Sequence, residues 1–368
     1  MATNQTPTHP DALLSLVERV KENYRAPPPA PPKRGKTRDF SALSFLLLSV
    51  VAVTLRTFRD SELHKLLWKD ERLRKALEFK RLPHRTTIGR RLAGLVPEAE
   101  QQIALLGQVI VEQVTPTEDQ TEVSAVDGRM YKAQGPRWHK KDRLKGIVPA
   151  GLRNVDTEST WSKSGYRGWV QGYRLTLQGL VFPFPVPIFA AWRPNGHNEA
   201  HIAADALQTG AFKVTDVLLG DETFGKGEFP EVYRQAGGLV LAPQLLPKKR
   251  RSWKDDLYAY RKETIELLFQ RVTQTADLKE CKVKGEGRNG AFVVQPRRPF
   301  RRDRLGRQAR GGDGLPPAVL ALHDSARRQA RRGALGAAGD LPLSLRASTA
   351  GLRSSSRRRR APAAVARG

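Results

Sequence analysis

The chain has a single cysteine, Cys281, in 368 residues. One thiol excludes an internal disulfide framework and any zinc site built from cysteines, and it points to a reducing cytosol. No targeting segment is visible, because MATNQTPTHPDALL has no charged start leading into an apolar stretch. Long hydrophobic runs are missing as well. The most apolar run, 43–55, has 13 residues. A membrane span needs roughly 20, so this run reads as a core helix. Acidic residues are scarce: 37 Asp+Glu face 64 Lys+Arg, for a net charge of +27. An excess of that size favours a polyanionic partner, most simply nucleic acid.

The C-terminal stretch lacks something more specific. Residues 296–368 hold eighteen Arg but no Lys, four Asp but no Glu, and one aromatic, Phe300. Selection for positive charge alone does not separate lysine from arginine. The composition fits a GC-rich gene read in a shifted frame after about Val294; the alternative is a disordered basic arm for DNA. Low order is expected beyond residue 296 on either account.

What is present falls into segments. Residues 1–36 read as a short helix over 11–24, with Leu13, Leu14, Val17 and Val20 at helical spacing, followed by the proline-rich linker APPPAPPKRGK. Residues 37–118 read as a helical DNA-binding region. It comprises the apolar helix 43–55, a helix over SELHKLLWKDERLRKAL capped by Asp60 or Ser61, a short helix after Pro83, and a helix over 98–114. The short helix carries Arg90 and Arg91 behind a Thr86 or Thr87 cap. A basic helix after a turn fits a helix-turn-helix reader, and equally a solvated face of a bundle.

The character changes at Glu122, within the third segment, 119–295. TEVSAVDGRMYKA reads as a strand, 134–168 as a loop or irregular hairpin, and 172–181 and 186–193 as two more strands. A helix over 199–207 capped by Asn198, a strand over 214–220, a helix over 230–237, a strand over 238–243 and a long helix over 256–274 follow. That order predicts an α/β domain with a mixed sheet, whose ligand sites collect at strand carboxyl ends.

Three carboxylates are candidates for chemistry there. Asp127 follows an apolar strand and precedes Gly128. Asp221 ends the VLLG strand. Glu266 lies in YRKETIELLFQRV near the border of its buried face, with Glu263 one turn earlier as the alternative. A lone strand-end Asp is more often a cap. Three carboxylates that converge can hold two cations for phosphodiester cleavage, and oxygen ligands suit Mg²⁺ or Mn²⁺.

AVDGRMY around Asp127, GYRLTL at 172–177, WRPNGHNEA at 192–200, LLGDETFGKGEF around Asp221 and the stretch 265–292 occur in that order. Over 120–293 the chain therefore resembles DDE-type transposases of bacterial insertion sequences. The resemblance implies an RNase H-like mixed sheet flanked by helices and preceded by a helical DNA-binding region. It implies Asp127, Asp221 and Glu266 as the metal-holding triad of a two-metal Mg²⁺ or Mn²⁺ site, and Arg261 at a donor-end phosphate. Tyr258 and Arg261 stand near the places where some relatives carry a Tyr and an Arg, while Thr273 stands where they carry a Lys. The implied activity is strand cleavage and strand transfer at insertion-sequence ends. The implied partners are double-stranded DNA, both terminal repeats and target, with a homodimer in the DNA complex, no membrane, and a cytoplasmic, nucleoid-associated setting. A decayed transposase that binds DNA without catalysis and a hydrolytic RNase H-like nuclease are the alternatives.

Further DNA contacts are expected from basic loops with an interleaved tryptophan. These are Lys140 and Lys141 in WHKKDRLKG, and Lys248, Lys249, Arg250, Arg251 and Trp253 in PKKRRSWKDD. Trp161 and Trp169 can stack on bases or simply pack. His139, His197 and His201 make no metal-ligand pattern.

Overall fold

The apolar run becomes α2 (Ala42–Thr54), with Ser41 accepting from Ser44 N at its start and Phe45 to Val53 buried without a gap. No amphipathic stripe is left on it, so it needs neighbours all round. A computed structural model describes residues 10–26, 40–114, 122–182, 185–246, 253–276 and 280–294. The basic stretch 247–252 and the tail 296–368, with the low order expected there, lie outside the described residues. Around α2 gather α1 (Pro10–Asn23), α3 (Asp60–Lys69), α4 (Glu71–Ala76), α5 (Arg85–Ala93) and α6 (Val96–Val114). None of the described helices is long and apolar enough to cross a membrane.

One expected helix is two. Asp70 adopts an extended conformation between α3 and α4, and its Oδ1 accepts from Leu73 N at 2.8 Å. The hydrophobic period runs on through this point, but an aspartate side chain that can cap a helix competes with the continuing turn. Asp70→Ala is expected to cost about 1 kcal/mol, read as a lowered thermal midpoint.

The sheet contains β1 (Val123–Lys132), β2 (Thr160–Ser164), β3 (Gly168–Leu180), β4 (Val186–Pro194), β5 (Val217–Leu219) and β6 (Leu239–Leu241). β1 runs antiparallel to β3. The other edge of β3 is shared end to end, by β2 along 168–172 and by β4 along 173–180. On its far side β1 is parallel to β5, and β5 is parallel to β6. The path β4-β3-β1-β5-β6, three antiparallel strands followed by two parallel ones, is the RNase H-like mixed sheet, flanked by helices as expected. The stretch 134–168 contributes α7 (Lys140–Leu144) and the β2–β3 hairpin.

Strand alternation divides the core between the two faces. Val126, Leu218 and Val240 pack with Ala200, Ile202 and Tyr233 of α8 (Glu199–Gln208) and α9 (Phe229–Gln235). Ala125, Leu177 and Leu219 pack towards α10 (Trp253–Ala276), α11 (Glu286–Val293) and the N-terminal helices. Buried Asp156 ties the approach to α11 to the sheet. Its Oδ1 accepts from Tyr173 Oη at 2.7 Å and its Oδ2 from Gly285 N at 3.1 Å. Asp156→Ala leaves those donors without an acceptor and is expected to cost on the order of 3 kcal/mol in a denaturant melt.

Candidate active site

Register places the two aspartates. Ala125 of β1 lies opposite Leu219 of β5 in a parallel ladder. Carried two residues further, the same register brings Asp127, in the middle of β1, beside Asp221, just past the end of β5, on the side that faces α10. β5 stops at Gly220, where a side chain would collide with Phe224. The chain then turns, and Asp221 Oδ1 accepts from Thr223 N at 2.8 Å. Asp127 Oδ1 accepts from its neighbour Gly128 N at 2.8 Å, and its Oδ2 meets Arg261 Nη2 of α10 at 2.9 Å. Burial pushes the Asp127 carboxyl above its usual range; Arg261 opposes the shift and the charge of Asp221 adds to it. Burial raises the hydroxyl of Tyr258, one turn before Arg261; Arg261 opposes the shift, and Asp221 and Asp127 add to it.

A further carboxylate comes from the opposite face. Glu199 opens α8 behind the Asn198 cap, in the first helical turn, where a negative charge is favoured. It is 8 % exposed. Its Oε2 fills the space that a Cβ at Gly128 would need, and the Cδ of Arg174 borders the same space. Arg174 Nη1 stands 3.3 Å from Glu199 Oε2. Burial pushes the Glu199 carboxyl up to about 7; Arg174 opposes this, Asp221 and Asp127 reinforce it, and a hydrogen bond with Thr223 lowers it.

No family model matches the chain. No curated protein matches it. It is similar to one solved structure, the Mos1 transposase paired-end complex with left transposon end, at 14 % identity and a TM-score of 0.19, over 73 % of this chain and 86 % of that one. A likeness of that size decides neither fold nor function, so the description of the site rests on its own geometry.

Glu266 is exposed on α10, one step round the helix from buried Ile265, and Glu263 is exposed too. In this arrangement neither is gathered into the aspartate cluster, whereas Arg261 is. Arg90 is exposed on α5, while Arg91 donates to Phe40 O at 3.2 Å and lies over the Phe45 ring. His139, His197 and His201 are exposed. Lys140 and Lys141 are exposed on α7, and the Lys140 ammonium stands 4.2 Å from the centroid of the Trp169 ring, itself 53 % exposed. Trp161 instead packs, donating Nε1–H to Trp138 O at 2.7 Å. Lys248, Lys249, Arg250 and Arg251, together with the Trp253 side chain, lie outside the described residues.

Asp127 is thus paired with Arg261 on one face of the sheet, with Asp221 alongside, and Glu199 is paired with Arg174 on the other. The two aspartates offer oxygen donors, which suit a hard divalent cation. Among the described residues no group of three or more His, Cys, Asp or Glu could hold a metal ion as placed. Arg261 and Arg174 pair instead with Asp127 and Glu199. The sequence contained a signal for the members that composition alone did not single out. GYRLTL carries Arg174, WRPNGHNEA carries Glu199 and GDETF carries Thr223.

Proposed function

We propose that the protein is a DDE-type transposase that cleaves a DNA strand at the ends of an insertion sequence and joins the freed 3′-hydroxyl to target DNA. The observation that supports this best is the placement of Asp127, where the parallel pairing of β1 with β5 stops, beside Asp221, just past the end of β5. Asp127 and Asp221 are the principal cation-holding groups. Glu266, on the helix that already delivers Arg261, is the proposed third carboxylate. When bound, Mg²⁺ or Mn²⁺ would activate the attacking oxygen and stabilise the leaving one. Arg261, released from Asp127, would donate to a phosphate oxygen in the fork geometry that suits guanidinium. The test is incubation of the purified chain with Mg²⁺ and duplex DNA carrying the inverted repeats that bracket its gene. Nicked and joined strands are expected.

One observation favours a second reading. Asp127 is already neutralised by Arg261, an arrangement that is complete without a cation. A decayed transposase would keep it, bind DNA, and cut in neither Mg²⁺ nor Mn²⁺.

The exposed Lys140–Trp169 face is proposed as a DNA contact. Lys140→Ala is expected to weaken binding uniformly across sequences and to reduce the salt slope by about 1. Trp169→Ala is expected to weaken single-stranded DNA binding by about tenfold, the effect of one lost base stack. Fluorescence anisotropy over a salt series measures both.

A further inference from the structure

We propose that the segment 137–169 forms a surface for an unpaired DNA strand, with the rings of Trp169 and Tyr166 stacking on its bases. This rests on the reading of the Lys140–Trp169 face as a DNA contact and narrows it from DNA in general to strands whose bases are unpaired.

Three observations support it. The first is where apolar side chains meet solvent. Among the described residues seven large hydrophobic side chains are exposed, and five of them, Leu144, Ile147, Val148, Tyr166 and Trp169, belong to this one segment. The second is charge. The segment holds eight Lys or Arg against three Asp or Glu. Two of those carboxylates are engaged towards α11, Asp156 with Gly285 N and Glu158 with Glu286 N, which leaves the outer surface basic. The third is that the surface is held in place. Trp161 Nε1–H donates to Trp138 O, and buried Trp138 donates Nε1–H to Ile147 O at 2.8 Å, so the turn after α7 is fastened to the hairpin. Ser164 of β2 pairs with Gly168 of β3, and Tyr166 stands fully exposed on the short connection between them. Trp169 lies across from Lys163, with the Lys140 ammonium over its ring.

A duplex shows its phosphates but hides its base faces, so exposed rings gain nothing from it. An unpaired strand offers phosphates to the lysines and base faces to the rings. An anionic lipid surface also combines charge with apolar depth. Sinking the Trp169 ring into hydrocarbon would carry Lys140 and Lys163 with it, however, and charges are costly there.

The test is fluorescence anisotropy of the full chain with two labelled DNAs, a fully paired duplex and the same duplex with a run of mismatched bases at its centre. Wild type is expected to prefer the mismatched duplex by at least about tenfold. The double variant Tyr166→Ala with Trp169→Ala should lose that preference and bind the paired duplex as wild type does. Tyr166→Ala alone changes a fully exposed tip and should lose part of it; it decides the matter if the double variant does not fold by circular dichroism. Trp169→Phe keeps a ring and should retain most of it. An unchanged preference in the alanine variants, or an equal loss on both DNAs, overturns the proposal and leaves the general DNA contact standing. Binding to phosphatidylserine vesicles that falls in the same variants, with no preference between the two DNAs, overturns it in favour of a lipid surface. Failure of wild type to bind either DNA sinks the underlying reading as well.

Discussion

Replacing Asp221 with alanine should lower Mg²⁺-dependent nicking by about a thousandfold, roughly 4 kcal/mol of barrier, and leave DNA affinity unchanged. The size follows from what a carboxylate does at such a site. It holds a cation whose charge stabilises the attacking and leaving oxygens, and only that contribution is lost. The selectivity follows from the structure. The hydrogen bonds of the Asp221 side chain are local, to Thr223 N and Thr223 Oγ1 in the turn after β5. Removing it relieves repulsion with Asp127 and Glu199, so the fold should survive and the melting midpoint should not fall. The basic surface proposed to meet phosphates, including Lys140 and Lys141, lies on other elements. A variant that nicks at the wild-type rate would remove Asp221 from the chemistry. One that loses binding and nicking together would place it in a structural role.

Gly128→Ala should destabilise the protein by on the order of 2–3 kcal/mol. Position 128 does not demand glycine for its backbone angles. It demands glycine because Glu199 Oε2 and Arg174 Cδ crowd the place of the missing side chain. A methyl group there must push Glu199 off Arg174 or bend β1 beside Asp127. The double variant Gly128→Ala with Glu199→Ala removes the collision, so part of the stability should return. Coupling between contacting sites is typically about 0.5–3 kcal/mol, well within the resolution of a denaturant melt. Equal melting of Gly128→Ala and wild type would mean that the carboxylate does not pass there.

Much of this architecture was legible in the residues. The alternation in TEVSAVDGRMYKA, the proline break between the second and third long strands and the Asn198 cap led to β1, β3, β4 and α8 nearly at their observed ends. Asp70 was not legible as a break, because its capping of α4 competes with a hydrophobic period that continues through it. Strand β2 was hidden because TWSKS is polar and owes its pairing to the long β3 beside it. Asp127 and Asp221 stood out because each follows an apolar stretch of strand. Glu199 did not, because its burial over Gly128 and against Arg174 depends on how α8 packs on the sheet, which no spacing along one strand reveals. Glu266 illustrates the converse: its neighbours Ile265, Leu268 and Phe269 are buried as the helical period requires, yet the period does not fix which way a border residue turns.

The most direct test of the proposed function uses labelled duplex DNA ending in the terminal repeats, a supercoiled target and Mg²⁺, with wild type compared with Asp221→Asn. The account predicts label covalently joined to the target with wild type and none with the variant, at equal DNA binding. DNA bound but neither cut nor joined by wild type, in Mg²⁺ and in Mn²⁺ alike, would contradict it.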